Sequence, residues 1–161
     1  MTAYSQKYKE ATDNLTKLDK KINATMNNTN KRVLHIVPHS HTDEGWLSTT
    51  DEFFTGDDPT SIYVGSVRDI LDSVVFEMTL DKNRTFAFAE IKYFKIWWDM
   101  QGEDVKEPVR QMVREGRFDL VSGGWSAPDE ATTQYDSLID NFMIGQQFLQ
   151  KEFNLHPIVS W

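Results

Sequence analysis

Four short apolar runs, set apart by stretches of helical periodicity, constrain the fold of this chain more than any other feature. They are Val33-Leu34-His35-Ile36-Val37-Pro38, Thr85-Phe86-Ala87-Phe88-Ala89, Phe118-Asp119-Leu120-Val121 and Pro157-Ile158-Val159-Ser160. Runs this short, rich in β-branched or aromatic residues and bounded by turn formers, read as strands. After the first comes a loop through Gly56-Asp57-Asp58-Pro59. Val64, Val67, Ile70, Leu71, Val74 and Val75 then fall at helical spacing, with Thr60 or Ser61 placed to cap that helix. Between the second and third runs, Tyr93, Phe94, Trp97 and Trp98 form one helix face. Val105, Val109, Met112 and Val113 form another, closed by Gly116. A long helix is expected from Pro128 or Asp129 to Phe153, with Ile139, Phe142, Met143, Gln146 and Leu149 along it. Strand–helix alternation implies an α/β fold of parallel strands, right-handed crossovers and helices outside.

Residues 1–32 stand apart as a polar N-terminal extension. Tyr4, Tyr8, Leu15 and Leu18 give a weak helical stripe that Asn27, Asn28 and Asn30 interrupt, and the segment is too polar to build a core alone. Residues 33–161 form the domain; the whole chain of 161 residues carries five Trp, five Tyr and ten Phe and is long enough for one core. A formal net charge of −8 argues against nucleic-acid binding, which favours a basic surface. There is no Cys, so disulfides and thiolate metal sites are excluded and any metal must use His, Asp or Glu. No apolar run is long enough to span a membrane, and the N-terminus shows no signal peptide. Asn-x-Thr acceptors occur at Asn14, Asn23, Asn27 and Asn83; they matter only in a secretory compartment, and chance explains the three early ones in an Asn/Thr-rich stretch.

The chemistry concentrates where the first run ends, at His39-Ser40-His41-Thr42-Asp43-Glu44-Gly45-Trp46. In parallel α/β sheets ligands bind at the carboxyl ends of strands. On an extended segment, alternate side chains share a side, so His39, His41 and Asp43 can converge as nitrogen and oxygen donors for an ion such as Zn²⁺. The bland alternative is a polar turn in which Asp43 caps the next helix. Gly45 permits a sharp turn, and Trp46 sets a broad apolar face beside the cluster. Two other run ends are distinctive: Glu90, and Gly123-Gly124-Trp125 leading to Asp129-Glu130. If the strands are parallel neighbours, all three ends share one rim. Glu90 reads either as support for a ligating His or as an acid at a helix start. Asp129 and Glu130 read as helix-start acids, Trp97-Trp98 as core, and His35 and His156 as uninvolved in catalysis.

The string Val37-Pro38-His39-Ser40-His41-Thr42-Asp43-Glu44-Gly45-Trp46 resembles the first signature of the class II α-mannosidases, glycoside hydrolase family 38, of the lysosomal type. The resemblance continues through Phe88-Ala89-Glu90, Tyr93-Phe94, Trp97-Trp98, Gly123-Gly124-Trp125, Asp129-Glu130-Ala131 and Tyr135 to Ser160-Trp161. It implies a seven-stranded β/α barrel, of which residues 33–161 are about the first four strands. It implies His41 and Asp43 as zinc ligands, Asp43 also touching substrate, and Trp46 as the platform for the sugar. Glu44 departs from the family's usual Pro or aliphatic residue and places a negative charge beside the zinc site. Gln134 stands where His often precedes the Tyr, and Ser126-Ala127-Pro128 varies the segment after Gly-Gly-Trp.

The implied activity is zinc-dependent, retaining removal of terminal α-linked mannose from oligosaccharides and N-glycans. The implied compartment is lysosomal, vacuolar or secretory. The nucleophile, the acid/base and a further zinc-binding His are expected beyond Trp161, so no catalytic residue is assigned here. The 161 residues are expected to be an incomplete, inactive fragment whose partner is the rest of the mannosidase chain or a complementary piece. Two rival readings remain at this point. One is a metal-dependent amidohydrolase or deacetylase using His39 with His41, and the other is a non-catalytic carbohydrate-binding remnant retaining Trp46.

Overall fold

The computed structural model describes residues 34–57, 65–129 and 134–161, together with Asp13, Thr16, Lys17 and Lys20, which are helical. The chain divides into two compact units, Met1–Ile36 and Val37–Trp161, and every element named below belongs to the second. In order these are α1 (Thr50–Thr55), α2 (Val67–Leu80), β1 (Phe86–Phe88), α3 (Ile91–Met100), α4 (Glu103–Arg114), β2 (Phe118–Leu120) and α5 (Tyr135–Phe153). The fold is α/β.

β1 and β2 run parallel, with Phe86 opposite Phe118, Ala87 opposite Asp119 and Phe88 opposite Leu120. This is the pairing that the alternation predicts. On the free side of β1, His39 forms a single parallel bridge to Ala87, whose N–H donates to Pro38 O at 2.9 Å. On the far side of β2, Ser122 N–H donates to Val159 O at 2.8 Å and Trp161 N–H to Ser122 Oγ at 2.7 Å. The end of the first run, β1, β2 and the last run therefore lie side by side in chain order. The two outer ones fall short of the expectation. Residues 34–38 and 157–160 are not strands, because each is held on one side and at isolated points, without the repeated ladder that fixes a strand. Val33 lies outside the described residues.

The pleat sends Phe88, Phe118 and Leu120, all wholly buried, toward the helices. The opposite face carries Ala87 and Asp119, with Ala89 and Val121 close by, above a hollow of about 230 Å³ lined also by Val37, Pro38 and Arg117. The core is dominated by aromatic rings. α3 contributes Ile91, Tyr93, Phe94, Trp97 and Trp98, none more than 2% exposed, as its spacing predicts. Buried indoles need hydrogen-bond acceptors. Trp97 Nε1 donates to Asp72 Oδ1 of α2 at 2.7 Å, and Trp98 Nε1 to Glu152 Oε2 of α5 at 3.4 Å. Trp97-Trp98 is thus core, as expected.

Three helix boundaries differ from expectation. α1 occupies what reads as loop. It is closed at its start by reciprocal hydrogen bonds, Glu52 N–H to Thr49 Oγ1 at 3.3 Å and Thr49 N–H to Glu52 Oε2 at 2.7 Å. That Thr-x-x-Glu capping box is the signal in the sequence, and Thr49 rather than Asp43 is the cap. α2 begins at Val67 behind Ser66; Thr60, Ser61 and Val64 lie outside the described residues. Ser66 is buried and its Oγ accepts from Asp69 N–H at 3.0 Å. Ser66→Ala is expected to lower stability by about 1 kcal/mol, read by urea unfolding, because the part-buried Asp69 amide loses its helix-start acceptor. α5 begins at Tyr135, since Pro128 and Asp129 are not helical, and residues 130–133 lie outside the described set. Its buried positions are Gly145 and Leu149, whereas Ile139 and Met143 are about half exposed. The apolar stripe and the packed stripe of α5 are not the same.

Candidate functional site

The segment after the first run turns sharply, with Gly45 at φ +92°, a conformation costly for any residue with a Cβ. That turn leaves His41 and Asp43 on one side, with Nε2 and Oδ1 3.6 Å apart, and both side chains partly open to solvent. Trp46 follows with 75% of its surface exposed. His39 does not join them. Its Nδ1 is 3.1 Å from Ser40 O, and its ring packs 4.3 Å from that of Trp161. The amidohydrolase reading needs His39 beside His41, whereas the ring contact of His39 is with Trp161. Among the described residues, no group of three or more His, Asp or Glu is arranged to hold a metal ion.

Behind the pair stands the first turn of α3. Glu90, 1% exposed, occupies the residue before the helix but makes no side-chain cap. Its Oε1 instead accepts from Thr42 N–H at 3.2 Å. Burial raises the Glu90 pKa above the ordinary carboxylate value, opposed by the Thr42 N–H and by the nearby His41. Tyr93 OH donates to Asp43 O at 2.9 Å. Burial, then the charge of Glu44, pushes that phenol's pKa up, so it stays protonated and remains a donor.

Glu44, whose charge was expected beside the metal site, is directed into the protein. Its side chain is 11% exposed, and Lys92 Nζ lies 3.0 Å from its Oε2 and 3.2 Å from Thr50 Oγ1. Burial raises the Glu44 pKa and Lys92 opposes it. The extra charge that sets this sequence apart from the usual pattern is therefore neutralised from α3.

The third run end closes on the same helix turn. Ile91 N–H donates to Gly124 O at 3.2 Å and Lys92 N–H to Trp125 O at 2.9 Å. These carbonyls take two of the amides that a helix start leaves without partners. The shared rim is thus visible: the His41–Asp43 segment, Glu90 and the Gly123-Gly124-Trp125 turn all meet at the start of α3. Gly123 has φ +74°, a conformation that glycine adopts without the cost a Cβ would bring. Asp129 is exposed and outside any helix, Glu130 lies outside the described residues, and His156 is exposed. Lys92 was not singled out in the sequence, and Tyr93 only as part of a helix face and of the resemblance, neither of them as a site residue. The only signal for them was position, two and three residues beyond a strand-end acid.

Residues 31–161 match the profile of the glycosyl hydrolases family 38 N-terminal domain, and the chain belongs to that family. It is 42% identical over 128 residues to the alpha-mannosidase of Canavalia ensiformis, covering 80% of this chain and 13% of that protein. A probable alpha-mannosidase of Arabidopsis thaliana is 42% identical over 128 residues, covering 80% and 12%. The lysosomal alpha-mannosidase of Homo sapiens is 39% identical over 130 residues, covering 80% and 13%. The chain thus spans about an eighth of the length of these relatives. No helix among the described residues is long and apolar enough to cross a membrane.

Proposed function

We propose that this chain is the N-terminal part of the catalytic β/α barrel of a zinc-dependent, retaining α-mannosidase acting on mannose-containing oligosaccharides. The observation that carries the reading is the His41–Asp43 pair on the rim, in a chain of this family. Two donors held at about 2.1 Å around a tetrahedral zinc stand roughly 3.4 Å apart, close to the 3.6 Å between Nε2 and Oδ1. The residues fit half of such a site. When bound, zinc supplies a Lewis-acid anchor for sugar hydroxyls. Asp43 and His41 hold the ion, Asp43 is near enough to contact substrate, and Trp46 offers its exposed face to the sugar ring. The two reacting carboxyl groups, which retention requires about 5–5.5 Å apart, are assigned to no residue of this chain.

Runs side by side in chain order, helices against one sheet face and small residues on the other support a barrel. Exposed apolar side chains at the margins, including Leu47, Ile158 and Val159, suit burial by the remaining barrel. A lysosomal setting agrees with the lysosomal alpha-mannosidase of Homo sapiens among the relatives and with an exposed acceptor at Asn83.

The test joins residues 33–161 to the remaining sequence of the Canavalia ensiformis enzyme. The chimera is expected to hydrolyse an aryl α-mannoside with retained anomeric configuration, and His41→Ala or Asp43→Ala to reduce turnover at least 100-fold. The 161 residues alone are expected to hydrolyse none. Zinc-dependent turnover by them would overturn the assignment of the reacting carboxyls and turn attention to Glu90 and Asp129.

A further inference from the structure

Glu90 is an unusual acid. It is 1% exposed, its Oε2 is buried with no hydrogen-bond partner among the described residues, and although it sits at a helix start it makes no cap. A buried carboxyl with an unsatisfied oxygen costs stability, and such a group in a packed core needs a reason. Its one side-chain hydrogen bond supplies that reason. Oε1 accepts the N–H of Thr42, the residue between His41 and Asp43. From the same helix turn, Tyr93 OH donates to the Asp43 carbonyl and Lys92 pairs with Glu44. Three side chains of one turn therefore grip three consecutive residues of the signature loop. The grip is itself anchored, since the Gly124 and Trp125 carbonyls hold the Ile91 and Lys92 amides.

We infer that Glu90 is a positioning residue for the metal pair, fixing the Thr42 peptide so that His41 and Asp43 present their donors to one ion. The inference rests on the zinc reading above. Glu90 does not touch the ion; it acts through the backbone between the ligands. Tyr93 and Lys92 hold the loop at the following two residues, but only Glu90 holds the link that joins the two donors. Supporting groups of this kind, one bond removed from a metal ligand, typically change metal affinity by about 10–100-fold when lost.

The experiment is calorimetric titration of the 161-residue chain with Zn²⁺, comparing Glu90→Ala, Glu90→Leu, Glu90→Gln and His41→Ala, with amide hydrogen exchange at Thr42. Glu90→Leu fills the buried space without an acceptor, which keeps the test valid if the alanine variant does not fold. Both apolar variants are expected to bind zinc about 10–100-fold more weakly and to exchange the Thr42 amide faster. Glu90→Gln keeps an oxygen for that N–H and is expected to restore affinity to within about threefold and slow exchange again. Unchanged zinc affinity in a folded Glu90→Leu overturns the positioning role. No zinc binding by the unchanged chain, or equal binding by His41→Ala, instead sinks the claim that this pair by itself holds zinc, and the positioning role with it. Thr42 exchange then still reports whether Glu90 holds the loop.

Discussion

Phe94→Ala is expected to remove a large share of the stability of this fold, lowering it by about 3–5 kcal/mol. Phe94 is wholly buried, and it is the ring through which α3, β2 and α5 meet. Its centroid lies 5.8 Å from both Trp97 and Trp98, 5.7 Å from Phe118 of β2, and 6.3 and 5.8 Å from Phe148 and Phe153 of α5. The Phe118 and Phe148 contacts are edge-on, an arrangement worth about 0.5–1.5 kcal/mol beyond area burial. Because the surrounding rings come from three elements, no single rotamer change can refill the space. Domains of this kind are stable by only about 5–15 kcal/mol in total. Thermal unfolding is expected to shift down by roughly 6–20 °C, at ~2–4 °C per kcal/mol. Phe76→Ala is the control, since Phe76 is 60% exposed on α2, and its effect should stay within about 0.5 kcal/mol. A Phe94→Ala loss below 1 kcal/mol would mean that the ring cluster is not the centre of the core.

The parts of this fold that sequence reasoning reached are those whose signal is local. In α3 and α4 the apolar residues recur at positions i, i+3 and i+4 and are the ones that enter the core, so pattern and packing coincide. In α5 they do not. Ile139 and Met143 complete the apolar stripe yet stand about half exposed, while the contact face is made by Gly145 and Leu149. Leu149 was on the expected stripe, but a glycine contributes nothing to a hydrophobic pattern, so Gly145 was invisible. The outer runs illustrate a second limit. Residues 34–38 and 157–160 have strand composition, but strand conformation needs a repeated ladder with a neighbour, which composition does not supply.

The site divides the same way. Alternation along an extended segment puts His41 and Asp43 on one side, and their 3.6 Å separation agrees with it. His39 has the same alternation but is drawn to Trp161, a residue 122 positions away that no local rule could bring there. The support from Glu90, Lys92 and Tyr93 is likewise tertiary. It exists only because β1 delivers the start of α3 beneath the loop that leaves the first run. Glu44 shows why a departure from a family pattern should be judged in three dimensions. As a letter it adds charge beside a metal pair; in the fold Lys92 takes that charge away from it.

Gly145→Ala is expected to destabilise the fold by about 2 kcal/mol and to loosen the site from behind. By helix propensity alone the change should help, since alanine in a helix interior is favoured over glycine by about 0.8–1.0 kcal/mol. Packing reverses the sign. A Cβ on Gly145 would overlap the Gly123 carbonyl oxygen and lie 2.9 Å from Gly124 C and 3.0 Å from Trp125 N. These are backbone atoms of a turn already fixed by Trp125 N–H to Asn141 O at 2.9 Å and by Asn141 Oδ1 accepting from Ser126 N–H at 2.8 Å, so they cannot swing aside as a side chain would. Overpacking typically costs about 1–3 kcal/mol, and rigid neighbours put this position at the upper end. The displacement has a path to the site. The Gly124 and Trp125 carbonyls hold the first amides of α3, and that turn carries Glu90, Lys92 and Tyr93 against residues 42–44. Faster amide exchange is therefore expected at Ile91, Lys92 and Thr42 together with the lower unfolding midpoint. Gly65→Ala is the control, because a Cβ there meets nothing within 4 Å. If Gly145→Ala raised the midpoint instead, propensity would have won, and α5 would not be seated on the Gly123–Trp125 turn as closely as the structure places it.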